Sequence, residues 1–302
     1  MFVNVNPIMA AIVEAADTLN TAPDDYINPD DGLKYCGKCH TPKEAYFPEQ
    51  YRKNGLDKHP IACKCAAEER ARREAEQREL ERLNRIAMLR SEAFRDIPAA
   101  GWRFENAKVM TPQLAKARAY SENWDAFRQD GTGLLLFGNV GTGKSYAAGC
   151  IANALIERMV SVLFVGLSDV VNRMQGNFGA DRDAYLKTLM RPDLLILDDL
   201  GAERNTSFGK ERVFDVVNKR LLTGKPMIVT TNIDITDMGN CTDLKKKRTF
   251  DRIMPATFAF AMKGTSYRMK QAQKSYETLK NLLLSEETIG KDGNTNENDQ
   301  NV

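Results

Sequence analysis

Histidine is almost missing from this chain: His40 and His59 are the only two in 302 residues, which argues against chemistry built on a histidine base. Long apolar runs are missing too. The most apolar stretches, residues 134–137 and 194–197, are strand-sized, and a membrane span needs ~18 apolar residues. Residues 1–19 hold no basic residue and carry Glu14 and Asp17, unlike a secretory signal. Membrane-spanning and secreted classes are therefore disfavoured. Charge of one sign is lacking as well: 43 basic residues face 41 acidic ones, so any nucleic-acid surface must be local. Six cysteines are too few for a disulfide framework in a chain of this length. Four of the six fall within thirty residues, and that is informative. Apolar residues at 42% and a mean hydropathy of -0.45 leave enough to build a core, with room for about two domains.

Composition divides the chain into five stretches. Residues 1–32 form an N-terminal segment, with Ile8, Met9, Ile12, Val13, Ala16 and Leu19 at helical spacing. That stripe fits a partner-binding helix or one packed on the region that follows. Residues 33–65 hold the cysteines. Residues 66–97 are rich in Glu, Arg and Ala, and pairs such as Glu68/Arg72, Glu69/Arg73, Glu74/Arg78 and Glu81/Arg85 support a solvated linker helix. Its apolar stripe, Leu80, Leu83 and Ala87, is too thin for a coiled coil. Residues 98–284 alternate strand and helix, the mark of an α/β fold with a parallel sheet. Strands are expected at 134–137, 162–165, 194–197, 227–231 and 257–262, with helices over 143–159 and 210–222. Residues 285–302, nearly devoid of apolar side chains, read as a disordered tail.

Gly138-Asn139-Val140-Gly141-Thr142-Gly143-Lys144-Ser145 matches G-x-x-x-x-G-K-[ST] after an apolar strand and before an amphipathic helix. In such a loop the backbone N–H groups converge on phosphate oxygens at the positive end of a helix. Lys144 is expected to reach the β- and γ-phosphates and Ser145 to ligate Mg²⁺. The run at 194–197 ends in Asp198, suited to the Mg²⁺ shell, and Asp199, suited to orienting or deprotonating water. Glu203 is a second candidate for that last role. Asn232 follows the strand at 227–231, at the sheet edge where ligands bind in open α/β folds. Arg252, beyond Lys245-Lys246-Lys247, is a candidate guanidinium for a γ-phosphate.

Cys36 and Cys39, with Cys63 and Cys65, read C-x2-C-x23-C-x-C. Four thiolates in two close pairs can close a tetrahedral Zn²⁺ site and stabilise a region with little core of its own. Free thiols or a redox pair are the alternatives, and His40 or His59 could replace a ligand. Cys150 reads as plain core.

Taken together, GNVGTGKS at 138–145, LLILDDLGAE at 194–203, VTTN at 229–232, FDRIM at 250–254 and GTSYR at 264–268 resemble the AAA+ ATPases. Among these the chain is most similar to DnaC-type helicase loaders and IstB-type transposition ATPases, over about residues 101–275. The resemblance implies a P-loop AAA+ parallel sheet with flanking helices, preceded by a small zinc-binding domain and a connecting helix. It implies an ATPase using ATP, Mg²⁺ and Zn²⁺, with Lys144, Asp199, Asn232, Arg252 and Arg268 as catalytic residues. In this resemblance Arg252 is the arginine finger, acting on a neighbouring subunit, and Arg268 the sensor 2 arginine. Asp199 departs from the glutamate more usual at the second acidic position. The implied partners are a hexameric replicative helicase, single-stranded DNA reached through Lys245-Lys246-Lys247, and other copies of the chain, in a bacterial cytoplasm of host or phage origin. The implied alternative is a transposition helper acting on target DNA. Cysteine-bearing N-terminal domains occur in related loaders and are generally lacking in IstB-type proteins.

Overall fold

Short apolar patches separated by Asp, Asn, Pro and Gly give hairpins in the first part of the chain. The computed structural model describes residues 21–52, 57–95, 97–176, 180–203 and 206–286; the stripe at residues 1–19 and nearly all of the tail at 285–302 lie outside them. The chain forms two units, residues 1–84 and 85–302. In the first, β1 (Tyr26–Ile27) pairs antiparallel with β2 (Lys34–Tyr35), and β3 (Glu44–Tyr46) with β4 (Lys58–Pro60). Helix α1 (Lys64–Ala93) follows. Arg73 pairs with Glu69 and Arg78 with Glu74, as the spacing predicts, while Arg72 turns to Glu69 and Glu76 rather than to Glu68. The last turns of α1 supply Ile86, Leu89 and Ala93 to the core of the second unit.

That unit begins with α2 (Pro112–Glu122) and α3 (Trp124–Asp130), then β5 (Gly133–Phe137), α4 (Lys144–Glu157) and β6 (Val162–Gly166). Next come α5 (Leu167–Gly176), α6 (Ala180–Met190), β7 (Leu194–Leu200), α7 (Ser207–Leu222) and β8 (Met227–Thr231). The short α8 (Ile235–Gly239), α9 (Leu244–Ala256), β9 (Thr257–Ala261) and α10 (Tyr267–Glu286) complete it. All five expected strands and both expected helices form. The sheet is wholly parallel in the order β6-β7-β8-β5-β9.

Consecutive strand residues serve two different cores. Leu134, Leu136, Leu194, Ile196 and Ile228 join one cluster with α4; Leu135, Leu195, Leu197, Met227 and Val229 join the other with α5 and α7. Both sheet faces are covered, which is why these strands read as unbroken apolar runs. Among the described residues no helix is long and apolar enough to cross a membrane.

Candidate functional site

The phosphate loop leaves β5, crosses the sheet edge and turns into α4. Its glycines are conformationally required. Gly141 lies at φ +79°, and a Cβ there would come within 2.1 Å of Ser266 Oγ. Gly143 caps α4 at φ +91° in open space, so its need is purely one of backbone angle. The segment after β9 rests on the loop, with Tyr267 N–H donating to Gly141 O at 2.9 Å.

Lys144 opens α4 with only 7% of its surface exposed. Its Nζ donates to Gly138 O (2.8 Å), Asn139 O (2.7 Å) and Asn232 Oδ1 (2.7 Å). Burial holds the ammonium below the usual lysine range, opposed by the charges of Asp199 and Asp198 and reinforced by that of Arg268. Arg268 is exposed at the start of α10. Asn232 hands the network on, its Nδ2 donating to Asp199 Oδ1 at 3.0 Å.

Asp198 has the opposite problem. Burial pushes its carboxyl above the usual range, and the Asp199 charge adds to this; hydrogen bonds from Thr230 and Ser145 and the charge of Lys144 pull the other way. A hydroxyl beside an underneutralised carboxylate is an oxygen donor set suited to Mg²⁺. Ser145 and Asp198 fit that ion.

The structure thus joins Lys144, Ser145, Asp198, Asp199 and Asn232 in one connected group. Glu203 stands apart, its Oε2 accepting from Gly201 N–H at 2.7 Å within its own turn. Arg252 is exposed on α9 and forms no hydrogen bond or ion pair with any described residue. Of the three lysines, Lys245 is committed to Glu211 (2.5 Å). Lys246 lines a shallow cavity with Glu203, Lys210 and Phe250.

In the first unit the Sγ atoms of Cys36, Cys39, Cys63 and Cys65 all lie within 4.8 Å of one another. Cys36 and Cys65 are 3.6 Å apart and Cys63 and Cys65 3.4 Å. A tetrahedral site with Zn–S of about 2.3 Å has S···S edges of about 3.8 Å, so these four fit zinc. The Thr41 hydroxyl, 3.1 Å away, draws the Cys39 thiol down to about 5, whereas hydrogen bonding with the other sulfurs raises Cys65 to about 12. The histidines stay outside: His40 Nδ1 meets the Tyr26 hydroxyl at 3.3 Å, and His59 packs on Phe47. Sequence reasoning missed Lys43 and Asp25. They form a buried 2.6 Å ion pair, and although burial opposes its charge, Asp25 together with the charges of Cys63 and Cys36 holds the Lys43 ammonium above the usual lysine range. Cys150 is buried in the other unit, as its apolar spacing suggests.

A glycine loop at a helix start, a strand-end acid pair and a polar strand-end asparagine, set on a two-face-covered parallel sheet, define a P-loop nucleotide-binding domain of the AAA+ class. The chain belongs to the IstB-like ATP-binding protein family, whose model matches residues 62–275. It is 29% identical over 181 residues to the replicative helicase loader DnaC of Escherichia coli, covering 57% of this chain and 71% of that protein. An insertion-sequence ATP-binding protein of Mycobacterium tuberculosis is 27% identical over 145 residues, covering 47% of this chain and 57% of the other. A DnaC helicase loader structure aligns over 55% of this chain and 98% of its own, at 20% identity and a TM-score of 0.49. A DnaI structure aligns over 55% and 90%, at 24% identity and a TM-score of 0.46.

Proposed function

We propose that this protein is an ATP-hydrolysing switch that binds a hexameric replicative helicase and delivers it onto single-stranded DNA in the bacterial cytoplasm. The four-cysteine unit ahead of the ATP-binding region carries the choice, because the resemblance ties such a unit to loaders rather than to transposition helpers. In this reading the divisions are residues 33–65 for zinc, 66–97 for the linker and 98–284 for the ATPase. Similarity to a protein named as a replicative helicase loader supports the partner class.

For hydrolysis, Lys144 exchanges the carbonyl oxygens of Gly138 and Asn139 for phosphate oxygens, and the loop N–H groups of residues 138–145 hold the rest. Ser145 and Asp198 would hold Mg²⁺, which would supply charge neutralisation to the bound phosphates. Asp199, steadied by Asn232, orients a water and takes its proton as the water oxygen attacks the γ-phosphorus and the bond to the ADP oxygen breaks. Glu203, two residues beyond its hydrogen-bonded Gly201, is the alternative acceptor. Arg252 from a neighbouring copy and Arg268 from the same chain steady the charge on the transferred group.

The insertion-sequence relative favours one other reading, a helper ATPase for transposition on target DNA. Affinity capture from bacterial lysate with and without ATP separates the two. Recovery of a replicative helicase is the expected result; recovery of a transposase in its place would overturn the loader reading.

A further inference from the structure

Two consecutive residues of a strand face opposite sides of its sheet. Asp198 and Asp199 are consecutive in β7, yet the carboxylates of both are held from the C-terminal end of β8, one by Thr230 within the strand and the other by Asn232 just past it. Asp198 Oδ1 accepts from Thr230 Oγ1 at 2.6 Å, and Asp199 Oδ1 accepts from Asn232 Nδ2 at 3.0 Å. Thr230 is the penultimate residue of β8 and Asn232 the first residue beyond it. The sharing is made possible by an irregularity: the β7–β8 register shifts between Leu197 and Leu200, and Asp199 adopts φ +63°. A bulge with a left-handed residue turns the second acid round to the side of the first. Few side chains tolerate that backbone, so something must hold it.

Thr230 is placed to do so. It is 1% exposed, and its hydroxyl accepts the Asp199 N–H at 2.9 Å while giving its proton to Asp198. One hydroxyl therefore grips the carboxylate of the first acid and the peptide of the second. The neighbouring Thr231 points the other way, donating to Leu200 O at 2.7 Å, and pins the far end of the same bulge.

We propose that Thr230 is a positioning residue for the ATPase: it orients the Asp198 carboxylate toward the metal position and locks the bulge that presents Asp199 beside it. This rests on the ATP-hydrolysing reading above. Removal of the hydroxyl frees Asp198 to rotate and leaves the Asp199 N–H without its partner, whereas the loop contacts around Lys144 stay intact.

The test compares Thr230→Val, which keeps the shape, with Thr230→Ser, which keeps the hydroxyl. In Thr230→Val, binding of a fluorescent ATP analogue in EDTA is expected to match the wild type. The Mg²⁺ concentration for half-maximal hydrolysis should rise ~10-fold and kcat fall ~10–100-fold, the range typical of lost outer-shell partners. Thr230→Ser should restore both. Amide exchange at Asp199, read by NMR without nucleotide, should be slow in the wild type and in Thr230→Ser and faster in Thr230→Val. Wild-type Mg²⁺ dependence and kcat in Thr230→Val would overturn this assignment alone, as would a serine variant no better than valine. A wild-type protein that binds ATP without magnesium-dependent turnover would overturn the ATPase reading and the assignment with it.

Discussion

Lys144 and Asp198 each have a charge that burial disfavours, one displaced downward and the other upward. Each fits a counter-charge from outside the chain, a phosphate for the lysine and a cation for the acid. Because the folded Asp198 keeps its proton to higher pH than the unfolded chain, the folded state binds more protons just above the ordinary carboxylate range. Its contribution to stability therefore falls as pH rises through that window. In Asp198→Asn this slope should vanish, the melting temperature at pH 7 should equal or exceed that of the wild type, and magnesium-dependent hydrolysis should drop by at least ~10–100-fold. Thermal melts between pH 4 and 7 alongside an ATPase assay check both halves. The left-handed backbone also accounts for the identity of Asp199: aspartate tolerates φ +63° better than glutamate does, so the shorter acid suits the turn. The acid pair was legible from an apolar run ending in two aspartates. The bulge was not, since strand alternation predicts opposite faces, and Thr230 reads in sequence as one more β-branched core residue. Lys43 and Asp25 sit eighteen residues apart in loop-rich sequence with no period to link them.

At the scale of elements, α7 shows how a correct period can hide its most demanding residue. The buried stripe is Val213, Val216, Val217 and Arg220, and the last is fully buried. Its guanidinium donates to the carbonyls of Pro226 (2.6 Å), Asp193 (2.7 Å) and Pro192 (2.9 Å), so the end of α7 ties down the segments entering β7 and β8. Burial lowers this arginine to about 10, still charged at neutral pH. No pattern rule reads a basic residue near the end of a helix as core, since such residues normally favour solvent and the helix dipole. Arg220→Met should cost about 3 kcal/mol in urea unfolding by stranding those carbonyls. Arg220→Lys should recover little, because a point charge cannot span the same acceptors. The four-cysteine cluster is the other element that decides local stability, in a unit whose sheets have only two strands each. Purified protein should carry about one zinc, lost in Cys36→Ser/Cys63→Ser while ATP affinity persists; elemental analysis and nucleotide titration check this. Lys43→Met, with all four cysteines intact, should weaken zinc retention by ~10–100-fold in chelator competition, because its charge offsets the thiolates.

For the whole molecule, the proposed role of Arg252, exposed and without a hydrogen bond or ion pair among the described residues, is at the ATP of a second copy. Head-to-tail contacts of this kind close into rings or open into spirals. Arg252→Ala should bind ATP normally and hydrolyse it poorly, with ~10³–10⁵ in rate as the upper expectation for a finger. Mixing it with Lys144→Ala should restore part of the turnover, since some contacts then pair an intact loop with an intact arginine. No recovery across mixing ratios, with mixed assembly confirmed, would place Arg252 in its own subunit's site or in a purely structural role. The strand order carries a different implication. Strand β5, which launches the phosphate loop, is flanked by β8 and β9, the last two strands to be made. A growing chain extends from Gly133 to Ala261 before that strand has both neighbours, and at ~5–20 residues per second the delay is roughly 6–25 s. Through that interval the phosphate loop stands on a strand that still lacks its neighbours, so the floor of the site is complete only once the last strand has been made.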